Sequence, residues 1–164
     1  MKSTCRLARN TIKNLKPCTH GGRVWEAEKK TQHTINELLD FSSSVNPLGA
    51  SPKALEVVKN SLQQIQMYPD SNSEALREAV ASSFDIISAK NVVVGNGSTE
   101  LIYLFAETFL DKGQIALIPA PTFGEYENAV KKAGGQPKHV ELSSSLCVEA
   151  KSFADQMQNA KIAF

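Results

Sequence analysis

Apolar residues recur at helical spacing in the first half of the chain. Ser51, followed by a proline, is typical of a helix start, and Ser73 precedes a second apolar pattern. The two patterns consist of Leu55, Val58, Leu62 and Ile65, and of Leu76, Ala79, Val80 and Phe84. Residues three and four apart share one face of a helix. We therefore predict two amphipathic helices, each burying one stripe, separated by a turn at Tyr68-Pro69-Asp70.

After residue 90 the pattern changes to short apolar runs that alternate with longer amphipathic segments. The runs predict strands at 91–94, 115–118, 139–142 and 161–164, and the segments between them predict helices at 98–111, 123–133 and 150–160. Such alternation is typical of βαβ units. The sequence therefore predicts an α/β fold, a mostly parallel sheet with helices on both faces. Because the last predicted strand runs to the end of the chain, we expect a truncation or one product of a split gene.

Composition excludes several classes of protein. The 164 residues include 18 Lys and Arg against 17 Asp and Glu, a balance that does not favour nucleic acid or an anionic membrane surface as a partner. No apolar run approaches the roughly 20 residues of a membrane-spanning helix. Three widely spaced cysteines, Cys5, Cys18 and Cys147, suit a reducing compartment, so we expect a cytoplasmic protein. The three histidines are equally scattered, and we expect no metal site.

The N-terminal segment is basic. Its first 19 residues contain no acidic residue but five basic ones, Lys2, Arg6, Arg9, Lys13 and Lys16. They lack the apolar centre of a secretory signal. Two interpretations remain, a mobile basic arm or an organelle transit peptide. We predict that residues 1–35 form an N-terminal arm and that residues 36–164 form the α/β domain.

The turn between the predicted strand at 91–94 and the following helix has candidate chemistry. Gly95-Asn96-Gly97 places free backbone N–H groups at a helix N-terminus, where the helix dipole adds partial positive charge, and Ser98 and Thr99 add hydroxyl donors. This arrangement favours a bound phosphate. It lacks the lysine of a P-loop and the third glycine of a dinucleotide fingerprint. The alternative is an ordinary strand-to-helix turn capped by Ser98.

Four motifs occur in the order in which one enzyme family has them. They are the segments 40–49 (DFSSSVNPLG), 68–70 (YPD), 95–100 (GNGSTE) and 121–126 (PTFGEY). In this order they resemble the class I/II pyridoxal-phosphate aminotransferases of fold type I, most of all the branch of histidinol-phosphate aminotransferase and threonine-phosphate decarboxylase. The resemblance covers residues 20–164. It implies that residues 36–164 are an incomplete large domain, less than half of a family member.

The resemblance implies the cofactor pyridoxal 5'-phosphate and a set of residues that bind it. Gly97, Ser98 and Thr99 would hold the cofactor phosphate, and Phe123 would stack on the pyridine ring. In a homodimer Tyr68 would reach the cofactor phosphate of the neighbouring subunit. Without the resemblance, Phe123 would be a core aromatic residue and Tyr68 would pack at a helix end.

The resemblance also implies a small phosphorylated amino-acid substrate. Asn46 would lie over the substrate carboxylate, and His20, Gly21 and Gly22 would contact the substrate phosphate. His20 in this setting favours the decarboxylase branch, although Arg23 stands where that branch often has asparagine. The alternatives are the aminotransferase branch, a tight turn at Asn46 and a flexible segment at His20.

The resemblance implies that three catalytic groups of the family lie beyond residue 164. They are the lysine that binds the cofactor covalently, the acid paired with the pyridine nitrogen and the arginine that binds the substrate carboxylate. We therefore assign no catalytic residue in this chain and expect it to be inert alone. The competing hypothesis is a non-catalytic module that retains half of the fold and its phosphate site.

Overall fold

The computed structural model describes residues 7–84 and 88–164, so Lys2, Cys5 and Arg6 lie outside the described residues. In chain order the helices are α1 (Asn10–Lys13), α2 (Val24–Thr31), α3 (Pro52–Ser61), α4 (Glu74–Ser82), α5 (Ser98–Phe109), α6 (Glu125–Ala133) and α7 (Ala150–Met157), and the strands are β1 (Ile115–Ala120), β2 (Gln136–Glu141) and β3 (Ile162–Ala163). Short 3-10 helices span Ile35–Glu37, Leu62–Gln66 and Ala89–Asn91. Two compact units result. The first combines the chain up to Thr19 with Gly95–Phe164, and the second is His20–Val94.

The first unit contains a parallel sheet with the strand order β2-β1-β3. Ile118 of β1 pairs with His139 of β2, and Ala116 of β1 pairs with Ile162 of β3. Parallel strands require a crossover connection, and the helices α6 and α7 supply the two crossovers. The predicted α/β fold with a parallel sheet is confirmed.

Small residues allow two helices to pack closely on one face of this sheet. The core on that face consists of Ala106, Leu110, Ala116, Ile118, Ala129, Val130 and Ile162. Leu117 is also fully buried, but it points to the opposite face because side chains alternate along a strand. Pro119 and Val140 share a cavity on that second face with Phe153 of α7. Helices α5 and α6 therefore cover one face and α7 covers the other.

The described part of the predicted basic arm packs on this unit. Helix α1 contacts α6. The Arg9 guanidinium donates to the Lys132 carbonyl at 3.3 Å, and the Asn128 side-chain amide donates to the Lys16 carbonyl at 3.2 Å. From residue 7 to Thr19 the arm is thus attached to α6 by backbone-directed hydrogen bonds. The domain boundary at residue 35 stays a prediction.

The strand predicted at 91–94 does not form. Its first residue ends the 3-10 helix Ala89–Asn91, and the next three residues have no ladder partner among the described residues. The Arg77 guanidinium of α4 instead donates to the carbonyls of Ala89 and Val92, both at 3.0 Å from Nε. These side-chain donors satisfy carbonyls that a strand ladder would otherwise use, and Val93 remains 74% exposed.

The predicted buried stripes of α3 and α4 are also wrong. Helix α3 and the 3-10 helix after it do present the expected apolar residues, but these are 54% to 79% exposed, and Leu76 and Phe84 are exposed as well. No residue from His20 to Val94 that the structure describes is buried. An amphipathic pattern indicates which face a helix can bury, whereas burial itself requires an apolar surface opposite that face.

Candidate functional site

The turn before α5 has the geometry that its glycines predict. Gly97 lies at φ +85° and caps α5, and its N–H donates to the Gly95 carbonyl at 2.9 Å. A Cβ at Gly97 would meet no atom within 4 Å, so the requirement for glycine comes from the backbone angle and not from space. The predicted turn is therefore present at the predicted place.

Donors at this turn face solvent. Ser98 and Thr99 are exposed in the first turn of α5, and no hydrogen bond engages their hydroxyls in the described chain. The Glu100 carboxylate accepts a hydrogen bond from the Asn96 N–H, so an anion of the chain itself already uses one donor of the turn. This contact places a negative charge near the N-terminus of α5, where the helix dipole favours it.

Phe123 lies at the same edge of the sheet as the turn before α5. Helix α5 ends at Phe109 and a short turn leads into β1, so the first turn of α5 and the last residue of β1, Ala120, are at the same end of the unit. Phe123 lies three residues after the end of β1. Its ring is 39% exposed and meets the Tyr126 ring edge-to-face, with 5.9 Å between centroids. The Phe123 ring thus packs perpendicular to the Tyr126 ring, outside the buried core.

Sequence reasoning missed a buried acid beside Phe123. Glu125 is 6% exposed, and its carboxylate accepts a hydrogen bond of 2.7 Å from the Tyr103 hydroxyl of α5. Burial, and then the hydrogen bond to Glu125 and its charge, raise the pKa of Tyr103 to about 12. An acid in the first turn of a helix normally faces solvent, so the sequence contained no signal for this pair.

The raised pKa of Tyr103 predicts a stability change at high pH. The unfolded phenol ionises near pH 10, whereas the folded one keeps its proton up to about pH 12. The stabilisation is therefore complete below pH 10 and is lost as the pH rises through 12. Between pH 9 and pH 12 we expect the free energy of unfolding to fall by about 1–2 kcal/mol more in the unchanged chain than in Tyr103→Phe. Urea unfolding measures this free energy at each pH, and an equal decrease in the two proteins would contradict the expectation.

Gly21 and Gly22 pack against the serine-rich loop. A Cβ at Gly21 would lie 1.7 Å from the Ser42 carbonyl oxygen. Gly22, at φ +74°, donates its N–H to Ser42 Oγ at 2.8 Å, and Ser42 Oγ donates to Asp40 at 2.5 Å. One of the two glycine amides that we predicted to contact a substrate phosphate is therefore bound within the protein. His20 is exposed, and its substrate role stays a prediction.

Asn46 organises the turn that contains it. Its side-chain oxygen accepts from the Leu48 N–H at 3.0 Å, and its side-chain nitrogen donates to the Gly49 carbonyl at 3.1 Å. Both ends of the amide thus have backbone partners, which is the usual use of asparagine in a tight turn. The contact with a substrate carboxylate stays a prediction.

Tyr68 is almost fully exposed before α4. Asp70, two residues later, accepts hydrogen bonds from the backbone N–H groups of Glu74 at 2.7 Å and Asn72 at 2.9 Å. These bonds, that of Glu74 foremost, hold the pKa of Asp70 below its usual value. Asp70 therefore supplies the side-chain hydrogen bond at the start of α4, and Ser73, the predicted start of this helix, is its N-cap residue without a side-chain hydrogen bond.

The predicted residues divide between the two units. The first unit brings Gly97, Ser98, Thr99 and Phe123 to one sheet edge. The second unit contains His20, Gly21, Gly22, Asn46 and Tyr68.

Comparison with known proteins gives a consistent result. The model of the family "aminotransferase class I and II" matches residues 35–162. A histidinol-phosphate aminotransferase of Moorella thermoacetica is 31% identical over 134 residues, which are 82% of this chain and 34% of that protein. A putative threonine-phosphate decarboxylase of Caldanaerobacter subterraneus is 39% identical over 128 residues, 78% of this chain and 32% of that protein. The chain thus spans about a third of the length of these curated relatives.

A solved structure shows the same fold. The histidinol-phosphate aminotransferase of Sinorhizobium meliloti, determined in complex with pyridoxal-5'-phosphate, superposes with a TM-score of 0.74 over 95% of this chain and 41% of that one, at 16% identity. The four motifs, the parallel sheet and a family match over most of the chain agree. The chain belongs to the aminotransferase class I and II family.

Proposed function

We propose that this chain is the cofactor-phosphate-binding part of an enzyme that acts on a small phosphorylated amino compound. Pyridoxal 5'-phosphate is the cofactor of the family. The observation that most supports the proposal is the position of the Gly97–Thr99 turn, at the N-terminus of α5 and at the same sheet edge as Phe123. A ligand with a phosphate at one end and a flat ring at the other matches this pair of features.

The residues present fit such a ligand. The turn offers exposed hydroxyls and an open helix N-terminus, and a glycine whose Cβ position is empty keeps the approach clear. Phe123 offers a partly exposed ring beyond the end of β1. When bound, the cofactor supplies an electron sink for bonds at the substrate Cα. The part of this chain is to bind the phosphate, orient the ring and exclude water from one ring face.

The names of the relatives support two candidate substrates, histidinol phosphate and threonine phosphate. Several relatives are named histidinol-phosphate aminotransferase, among them the Moorella protein, and this favours an aminotransferase. The relative of 39% identity is named a putative threonine-phosphate decarboxylase, and this favours the second candidate. In either case we propose that the whole protein is a homodimer in which the exposed Tyr68 reaches the cofactor of the partner subunit. Product analysis of the whole enzyme separates the candidates, because carbon dioxide release needs no keto acid whereas transamination produces or consumes glutamate.

Titration of the 164-residue chain with pyridoxal 5'-phosphate tests the proposal. We expect Phe123→Leu to weaken binding by about tenfold, because ring stacking contributes roughly 0.5–1.5 kcal/mol beyond area burial. Inorganic phosphate should compete for the site and bind both proteins equally, since it uses only the turn. Phe123→Tyr is the matched control, and it should retain affinity. Unchanged affinity in Phe123→Leu would remove the ring from the site.

A further inference from the structure

We propose that Tyr103 is a positioning residue: by holding Glu125, its hydroxyl fixes the Phe123 turn relative to the Gly97–Thr99 turn, so that one ligand reaches both. This inference rests on the proposed function. In addition to packing α5 on α6, the Tyr103–Glu125 pair would set the distance between the Gly97–Thr99 turn and the Phe123 ring.

Tyr103 lies directly behind the phosphate turn. It follows Thr99 by four residues, so the two side chains are on the same face of α5, one turn apart. The Tyr103 hydroxyl donates to Glu125 at 2.7 Å, and its ring lies 4.8 Å from the ammonium nitrogen of Lys132. Tyr103 therefore contacts α6 at its first residue through the hydroxyl and near its last residue through the ring.

Glu125 lies directly behind Phe123. The two residues are separated only by Gly124, the N-cap of α6. A Cβ on Gly124 would lie 2.5 Å from the Cys18 sulfur, so the segment has close neighbours on this side too. Because a buried carboxylate is strongly unfavourable without hydrogen bonds, Glu125 keeps its position only where donors such as the Tyr103 hydroxyl meet it. The position of Glu125 therefore fixes the backbone next to Phe123.

Binding of a two-ended ligand depends on this distance. A ligand that needs both the turn and the ring loses affinity when the two separate by a fraction of an ångström, whereas one that needs only the turn does not. Pyridoxal 5'-phosphate is the first kind of ligand and inorganic phosphate is the second. The ratio of the two affinities thus reports the geometry between the turns separately from the stability of the unit.

The test is titration of the full chain with both probes. We expect Tyr103→Phe to weaken the binding of pyridoxal 5'-phosphate by up to about tenfold, the loss expected when the Phe123 ring no longer stacks on the ligand. The affinity for inorganic phosphate should change less than twofold. The circular dichroism that the bound cofactor acquires should also decrease. Glu125→Gln keeps an acceptor oxygen for the Tyr103 hydroxyl and should retain most of the affinity for the cofactor.

Lys132→Met is the matched structural control. It removes the cation over the Tyr103 ring and the 2.8 Å ion pair with Glu107, and so weakens the same helix–helix interface at the other end of α6. We expect a lower melting temperature with unchanged affinity for the cofactor. If Lys132→Met lowers the affinity for the cofactor as much as Tyr103→Phe does, the stability of the interface accounts for both losses and the inference is wrong.

Three further outcomes have distinct meanings. If Tyr103→Phe weakened the binding of both probes equally, the hydroxyl would support α5 alone. If neither affinity changed, the hydroxyl would position nothing. Either result overturns the inference and leaves the proposed function intact, because the unchanged chain still binds. Absence of cofactor binding by the unchanged chain would overturn the proposed function, and this inference with it.

Discussion

Replacement of Ser98 and Thr99 together by alanine is expected to weaken pyridoxal 5'-phosphate binding by roughly 100-fold. Each hydroxyl is an exposed donor in the first turn of α5 that no group of the described chain engages. A hydrogen bond to a charged partner contributes about 1.5–3 kcal/mol, and we take the lower end for both because the turn is open to water. The dissociation constant can be measured from the cofactor absorbance during titration.

Thr108→Ala is the control for this double variant. Thr108 is on the same helix, and its hydroxyl donates to the Leu104 carbonyl at 2.6 Å, near the opposite end from the turn. Its replacement removes a hydroxyl from α5 without changing the Gly97–Thr99 turn, so the affinity for the cofactor should not change. A double variant that binds as tightly as Thr108→Ala would exclude the two hydroxyls from the site.

The second large effect is expected in the core. Ile118→Ala should lower the free energy of unfolding by about 2–5 kcal/mol, because it leaves a cavity where the surrounding structure relaxes only partly. Ile118 is 1% exposed on the central strand, and it packs against α5 and α6 in a core where three of the seven residues are alanine. Urea unfolding measures the loss, which is a large part of the stability of a small domain.

Two matched variants bracket this prediction. Ile118→Val removes one methyl group from the same site and should lower the free energy of unfolding by about 0.5–1.5 kcal/mol. Val93→Ala truncates an exposed side chain and should change it by less than about 0.5 kcal/mol. If Ile118→Ala and Val93→Ala had equal effects, the core on this face of the sheet would be wrongly assigned.

Local signals predicted the sheet unit well. The turn at Gly97, the start of α5 at Ser98 and the end of α6 at Ala133 all lie where their glycines and apolar spacing place them. Each of these features depends on the conformations that a few neighbouring residues can adopt. Gly97 at φ +85° is the clearest case, since few other residues adopt that angle without strain.

Features that depend on distant residues could not be predicted in this way. The three valines from residue 92 to Val94 have the composition of a strand, yet Arg77, fifteen residues before Val92, takes the Val92 carbonyl. The stripe of α3 has helical spacing, but no described surface covers it. In both cases the pattern records a tendency, and the outcome depends on which partner is present.

The sequence by itself determined the βαβ order, the glycine-bracketed turn that opens α5 and the family. The first two follow from spacing and from backbone angles, which are properties of short segments, and the family follows from the resemblance of the four motifs. Only the tertiary structure decided that Glu125 is buried against Tyr103 and that Gly21 packs on Ser42. The physical reason is that the partners in these two contacts stand about twenty residues apart, and whether an acid or a glycine meets such a partner depends on how whole helices and loops pack.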